Sequence, residues 1–371
     1  MKILLLGSVA LPVPPPMQGG TERMAYWQAV GLAKRGHQVT LIAARGSKPE
    51  SAYTLVEIGG GDTVVGSTLS AEVVPIGSGL PAPYAFTESS RNLRKELVYM
   101  AQVSEWLLTR AKEYDLILNN MRGGESVLLP IAKLVGKPFV TVMHMPLFDE
   151  LAALLKEYNT PVVTISNAQR VGFEGVNFVG TVYNCVDEEL LGRGDWGDKG
   201  NKGEYLLMLG SIAPHKNQKD GILAAKALGK KIILAGKIGN QAYFDKEIAP
   251  LVDDNMVVYK GELRIAEKAA LLGGAEALLF PILWPEPFGL VMIEAMAVGT
   301  PVVAYRNGAV PEVVVDGKTG FIVNQSAGVD GLVAAVKRIG EIDRTVCRTH
   351  VAGLFTAEKM IDSLEAALQK V

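Results

Sequence analysis

A chain of 371 residues is too long for one ordinary core, and its formal net charge of -2, without any Lys/Arg run, excludes a nucleic acid or other polyanion as the expected ligand. With 49% hydrophobic and 20% charged residues, the composition is that of a well-packed protein of two ordinary domains. The two cysteines, Cys185 and Cys347, lie far apart, which excludes a disulfide framework and a paired metal motif and fits a reducing, cytoplasmic setting.

The chain starts MKILLLGSVALPVPPP, superficially like a leader, yet no small-residue cleavage site precedes the prolines. Lys2 to Gly7 therefore reads as a buried parallel strand, followed by a loop from Pro12 to Gly20 at its carboxyl end. That loop closes as GGTER, in which Gly19 and Gly20 can bring bare amides close to a charged group and Thr21 can cap a helix running to about Arg35. A tight turn before a capped helix explains the same glycines. RGHQVTLIA is a helix end and a second strand, with Gly36 at the cap and His37 structural. Arg45 to Tyr84 is rich in Gly, Ser and Pro around one short strand at Ala71 to Ile76, and GGGD at Gly59 to Asp62 lacks the Lys-Ser/Thr and the helix of a phosphate loop. An amphipathic helix over Arg91 to Lys112 and strands at Asp115 to Leu118, Lys137 to Met143, Pro161 to Ser166 and Thr181 to Asp187 complete an alternating half. His144 stands at the end of one of these strands, where it is either a hydrogen-bonding or acid-base group or a satisfied structural side chain.

Glu188 to Glu204 is rich in Gly and charge and reads as a linker. A second alternating half starts with the strand Glu204 to Gly210 and a polar loop holding Ser211 and Lys216; Lys216 is either a point charge for a phosphate or a solvated side chain. Further on, Ala277 to Ile282 reads as a strand, Pro285 and Pro287 mark a turn, and Gly289 to Val298 reads as a helix before a Gly-Thr-Pro break and another strand. Phe288, Gly289 and Leu290 then lie at a helix mouth whose first amides have no partners, a place that attracts anions. Glu286 and Glu294, with seven residues between them, flank that mouth. They either accept hydrogen bonds from a polyol or merely complement the helix dipole and face solvent. The last helix, Ala357 to Lys370, has Met360, Ile361, Leu364, Ala367 and Leu368 near one face.

The stretch from Glu286 to Glu294, with PFGL after the first Glu and AMAVGTPVVA after the second, resembles the E-x7-E signature of glycosyltransferase family 4, whose members are retaining enzymes with the GT-B fold. Shorter segments resemble the same family along the whole chain: GGTER, VTVMHMPLF, ISNAQR, YNCVD with Cys185 where a Gly is usual, and NGAVPE at Asn307 to Glu312. NGAVPE also reads as an ordinary βα turn.

The resemblance implies an α/β protein of GT-B type, two Rossmann-like doubly wound domains facing each other across a cleft. Residues 1–187 would form the acceptor-side domain, completed by the C-terminal helix 357–371; residues 188–203 would be the linker and 204–356 the nucleotide-sugar domain. It assigns donor-sugar hydroxyls to Glu286, the ribose to Glu294, and the sugar and diphosphate to the amides of Phe288, Gly289 and Leu290. It places His144 against the donor sugar, the Gly19 and Gly20 loop and Lys216 at the diphosphate, and the base beside Glu262 and Leu263. The family pattern G-R-x-x-x-x-K is kept at Gly210 and Lys216, but Ser211 stands where the Arg would be; Arg23, Arg170, Arg264 and Arg306 are the candidate replacements.

The implied activity is transfer of a hexosyl group from a nucleoside diphosphate sugar, UDP-glucose or a related UDP-sugar, to a hydroxyl acceptor with retention at the anomeric carbon. A nucleotide-sugar-binding protein with weak or lost turnover is the alternative that Ser211 raises. An epimerase is disfavoured, because the E-x7-E stretch belongs to transferases. No cofactor and no metal are expected, since the sequence has no Asp-x-Asp, no H-E-x-x-H and no clustered His/Cys set. The expected partners are the donor and an unassigned hydroxyl acceptor, with no nucleic acid. No run of 18 apolar residues predicts a membrane span, so membrane contact would be peripheral, for a lipid acceptor.

Overall fold

The computed structural model describes residues 1–17, 19–61, 73–74, 86–186, 203 and 205–371. Contacts divide the chain into two compact units, one of Met1–Ile165, Arg170–Val182 and Ile361–Val371, the other of Ser166–Gln169 and Tyr183–Met360.

In the first unit the strands are β1 (Lys2–Leu6), β2 (Gln38–Ala43), β3 (Thr54–Glu57), β6 (Leu116–Asn119), β7 (Phe139–Met143), β8 (Val162–Thr164) and β9 (Phe178–Thr181). They form one sheet in the order β3-β2-β1-β6-β7-β8-β9, with every neighbouring pair parallel. Two-residue strands β4 (Val73–Val74) and β5 (Phe86–Thr87) pair antiparallel outside it. Leu4, Leu6, Ile117 and Phe139 are buried with Leu107 of the helix Glu88–Arg110, because strands covered on both faces need apolar residues throughout. Gly31 of the helix Gly20–Lys34 and Gly180 of β9 make room for the C-terminal helix: a Cβ at either would lie 2.4 Å from Ile361 or 2.8 Å from Ala367.

The second unit repeats the plan with β10 (Tyr205–Leu209), β11 (Lys231–Ala235), β12 (Val257–Tyr259), β13 (Ala275–Phe280), β14 (Val302–Tyr305) and β15 (Gly320–Val323). Its order is β12-β11-β10-β13-β14-β15, again all parallel. In each sheet the order reverses beside the first strand, between β1 and β6 and between β10 and β13. Such a switch point opens a crevice at the carboxyl ends of the two strands. The helix Ala357–Leu368 starts in the second unit and ends in the first, and Met360, Ile361, Leu364, Ala367 and Leu368 are all buried.

Several expectations need correction. Thr21 does not cap its helix: the helix begins at Gly20, Gly19 is the cap residue and no side chain caps it. The sequence reading missed β3, a half-exposed edge strand. Of the strand expected at Ala71 to Ile76, Val73 and Val74 are strand and the other residues lie outside the described ones, as do Asp62 and the linker apart from residue 203. The strand expected at Thr181 to Asp187 is instead β9, ending at Thr181; one further ladder bond, Val182 N–H to the Thr164 carbonyl, precedes the crossing into the second unit. Cys185 is not among the residues with positive φ, so it is not strained where a Gly is usual. Among the described residues no helix is long and apolar enough to cross a membrane.

Candidate functional site

At the switch point of the second unit, two loops meet. The loop after β10 turns through Gly210 at φ 145°, a conformation that side-chain-bearing residues rarely adopt, and ends in a short turn, Pro214–Lys216. The loop after β13 carries Trp284 and Glu286. Lys216 Nζ is 2.8 Å from Glu286 Oε2, and Trp284 Nε1 donates to the same oxygen at 2.8 Å. The ammonium also lies over the Phe280 and Trp284 rings, 5.7 and 5.5 Å from their centroids. The Leu283 N–H donates to the His215 carbonyl, tying the two loops together, and His215 packs against Trp284. Burial is the main cause that lowers the pKa of His215, with the adjacent Lys216 adding to it.

Gly289, at φ 84°, caps the helix Leu290–Ala297. An added Cβ there would meet the movable terminal methyl of Met292 at 2.6 Å, so it is the backbone conformation that demands glycine. The backbone N–H groups of Phe288, Gly289 and Leu290 have no hydrogen-bond partner among the described residues, as expected of a helix start. The Phe288 side chain is not at the mouth; it is buried against Tyr183 and Phe355. Glu294 is not a solvated helix residue either. It is 7% exposed, and Lys268 of the helix Ile265–Gly274 reaches it at 2.6 Å.

NGAVPE is more than an ordinary turn. Gly308, at φ 50°, lies so close that a Cβ would come within 2.3 Å of the Glu286 backbone, and the Ala309 N–H donates to the Glu286 carbonyl. Glu312 accepts from the Asn167 and Ala168 N–H groups and from the Tyr183 hydroxyl at 2.7–2.9 Å.

The remaining predicted residues are spread more widely. Ser211 is half-buried and its carbonyl accepts from Gln218. Glu262 is exposed and Leu263 half-buried, after the edge strand β12. Of the candidate cations, Arg23 holds the Pro15 and Met17 carbonyls, Arg170 donates to Thr164 and stacks on Phe178, and Arg264 pairs with Glu267. The Arg306 side chain is exposed directly after β14, beside Asn307 and Gly308, and has no hydrogen bond or ion pair among the described residues.

In the first unit, Gly19 sits against the Pro15 ring, where a Cβ would be 2.6 Å away, and Gly20 is exposed. His144 follows β7, and its Nε2 is 2.7 Å from Asn120 Oδ1. Burial lowers its pKa to about 4, which keeps the ring neutral at neutral pH. Among the described residues no group of three or more His, Cys, Asp or Glu could hold a metal ion. Sequence reasoning missed Trp284, Lys268, Asn120 and Gln28; none stood inside a recognised motif, although Trp284 lies two residues before Glu286.

Residues 197–370, just under half of the chain, match the family model described as glycosyl transferases group 1. That match takes in most of the second unit. Among curated relatives, an MMP alpha-(1->4)-mannosyltransferase of Mycolicibacterium hassiacum is 39% identical over 34% of this chain and 31% of its own. An N-acetyl-alpha-D-glucosaminyl L-malate synthase of Bacillus anthracis is 27% identical over 50% and 52%. The chain thus spans about a third to a half of the length of these relatives. Among solved structures, a sucrose-phosphate synthase from Thermosynechococcus elongatus superposes with TM-score 0.75 at 16% identity, over 100% of this chain and 99% of that one. Anabaena HepE in complex with UDP and glucose gives 0.71 at 19% identity, covering 100% of both. The two units have the two parallel α/β sheets of the GT-B fold.

Proposed function

We propose that the protein is a retaining glycosyltransferase of family 4 that moves a hexosyl group from a nucleoside diphosphate sugar to a hydroxyl acceptor. The observation that carries this reading is the Lys216–Glu286 pair at the switch point of the second unit, beside the partnerless amides of Phe288, Gly289 and Leu290. A carboxylate accepts hydrogen bonds from sugar hydroxyls, and main-chain N–H groups at a helix start favour diphosphate oxygens. Lys216, paired with Glu286 in the loop that leads into that start, is the cation we assign to the negative charge that grows on the diphosphate as the glycosidic bond breaks. Glu294 would bind the ribose, Glu262 and Leu263 the base, and His144, Gly19 and Gly20 the sugar and diphosphate. UDP-glucose or a related UDP-sugar is the donor we favour, and HepE in complex with UDP and glucose supports that choice only through its shared fold.

The sequence has no Asp-x-Asp, so in this reading the protein's own cations carry the leaving charge. With Ser211 in place of an Arg, Arg306 takes that role, because its exposed guanidinium follows the strand next to β13. A second reading keeps donor binding and loses turnover; Ser211 favours it, because loss of one such donor can slow chemistry by about 10²- to 10³-fold.

Incubating the protein with UDP-glucose, with and without candidate acceptors, and following UDP release separates the two. Release above the spontaneous rate supports the transferase. Saturable binding of UDP-glucose without release or transfer supports the second reading, and no binding of any UDP-, GDP- or ADP-sugar contradicts both.

A further inference from the structure

Two buried amide side chains of the first unit form a chain that ends on the half-buried His144. Gln28, 1% exposed on the helix Gly20–Lys34, accepts from Asn120 Nδ2 at 2.7 Å. Asn120, 2% exposed directly after β6, has its backbone N–H on the Leu6 carbonyl and its Oδ1 2.7 Å from His144 Nε2. A primary amide has one donating and one accepting end. With Nδ2 committed to Gln28, only Oδ1 faces the imidazole, so the proton must sit on Nε2.

We propose that Gln28 and Asn120 are positioning residues that hold His144 as its Nε2–H tautomer, leaving Nδ1 as the acceptor for a substrate hydroxyl. Nδ1 has no hydrogen-bond partner among the described residues. His144 lines a cavity of about 20 Å³ with Thr21, Asn120, Arg122, Glu125 and Met145, room for one water or one hydroxyl. Burial keeps the imidazole neutral, as an acceptor nitrogen must be, and also raises the pKa of the Glu125 carboxyl. A leucine at position 28 would fill a helix–sheet contact without any buried polar group to satisfy. The amide there has an effect that packing does not need: it fixes the orientation of the next amide and, through it, the ring proton. This inference rests on the transferase reading only for the identity of the hydroxyl.

The test is a long-range ¹H–¹⁵N spectrum of protein labelled with ¹⁵N-histidine and free of substrate, with the His144 signals identified by their loss in His144→Gln. The wild type is expected to show a protonated Nε2 and a bare Nδ1. Gln28→Leu frees the Asn120 amide to turn, so tautomers should mix, while Asn120→Asp keeps an acceptor on Nε2 and should keep the tautomer. In turnover, Gln28→Leu should lower kcat about tenfold, one misplaced hydrogen bond, with the donor KM within about twofold. A wild-type Nδ1–H tautomer overturns the proposal. So does a folded Gln28→Leu variant that keeps both the single tautomer and the full kcat. A protein that shows the expected tautomers yet never releases UDP supports the positioning of His144 and overturns the transferase reading.

Discussion

Lys216 and Glu286, 70 residues apart in the chain, close to 2.8 Å across the gap between β10 and β13. Neither is held by its neighbours in sequence alone. The Leu283–His215 backbone bond and the Gly308 contact fix the two loops, so the ion pair sits on a rigid frame. Such support is what a group needs if it must stay within fractions of an ångström of a reacting sugar.

Gly308 tests that frame. Gly308→Ala places a Cβ 2.3 Å from the Glu286 backbone and forces alanine to φ 50°, so Glu286 must shift. Thermal denaturation should show a loss of about 1–3 kcal/mol, and UDP release should fall well beyond what that loss explains. Unchanged release in a folded Gly308→Ala protein would separate the turn from the site.

Arg306 and Ser211 form a reciprocal test. Arg306→Ala should reduce kcat/KM for UDP-glucose by about 10²-fold if its guanidinium stands in for the missing family Arg. Ser211→Arg in that background should restore part of the loss. If Arg306→Ala has full activity, another cation carries the leaving charge.

Much of this was legible in the sequence, for physical reasons. Runs such as Lys2 to Gly7 and Lys137 to Met143 are continuous apolar strands punctuated by Gly and Pro, which fixes a parallel α/β plan. Thr54–Glu57 was hidden because an edge strand with exposed ends lacks that signal. Glu286, Gly289 and Glu294 stood in one local motif. Lys268, 26 residues from Glu294, and Gln28, 92 residues from Asn120, meet their partners only through tertiary packing, for which short-range spacing carries no code.

Lys268 gives a stability prediction. Glu294 is almost fully buried and Lys268 is its cation, so Lys268→Met leaves a buried carboxylate unpaired and should cost about 3–5 kcal/mol in chemical denaturation. Adding Glu294→Gln should recover most of that loss. Independent, additive effects of the two substitutions would show that the pair contributes nothing.

His144 gives a pH dependence. Its folded pKa of about 4 lies below the ordinary 6.5, so the unfolded chain binds the proton more readily. The stabilisation is full above pH 6.5 and is lost as pH falls from there to about 4, by at most roughly 3 kcal/mol and less for a ring that is only half-buried. Denaturation midpoints of wild type and His144→Gln should therefore converge on acidification across that window. Parallel profiles would contradict the depressed pKa.

The most direct test of the central claim is a crystal structure of the protein with UDP-glucose bound. The account predicts hexose hydroxyls on the Glu286 carboxylate and diphosphate oxygens about 3 Å from Lys216 Nζ and the N–H groups of Gly289 and Leu290. A nucleotide-sugar seated elsewhere, or one bound here with Glu286 turned away from the sugar, would contradict it.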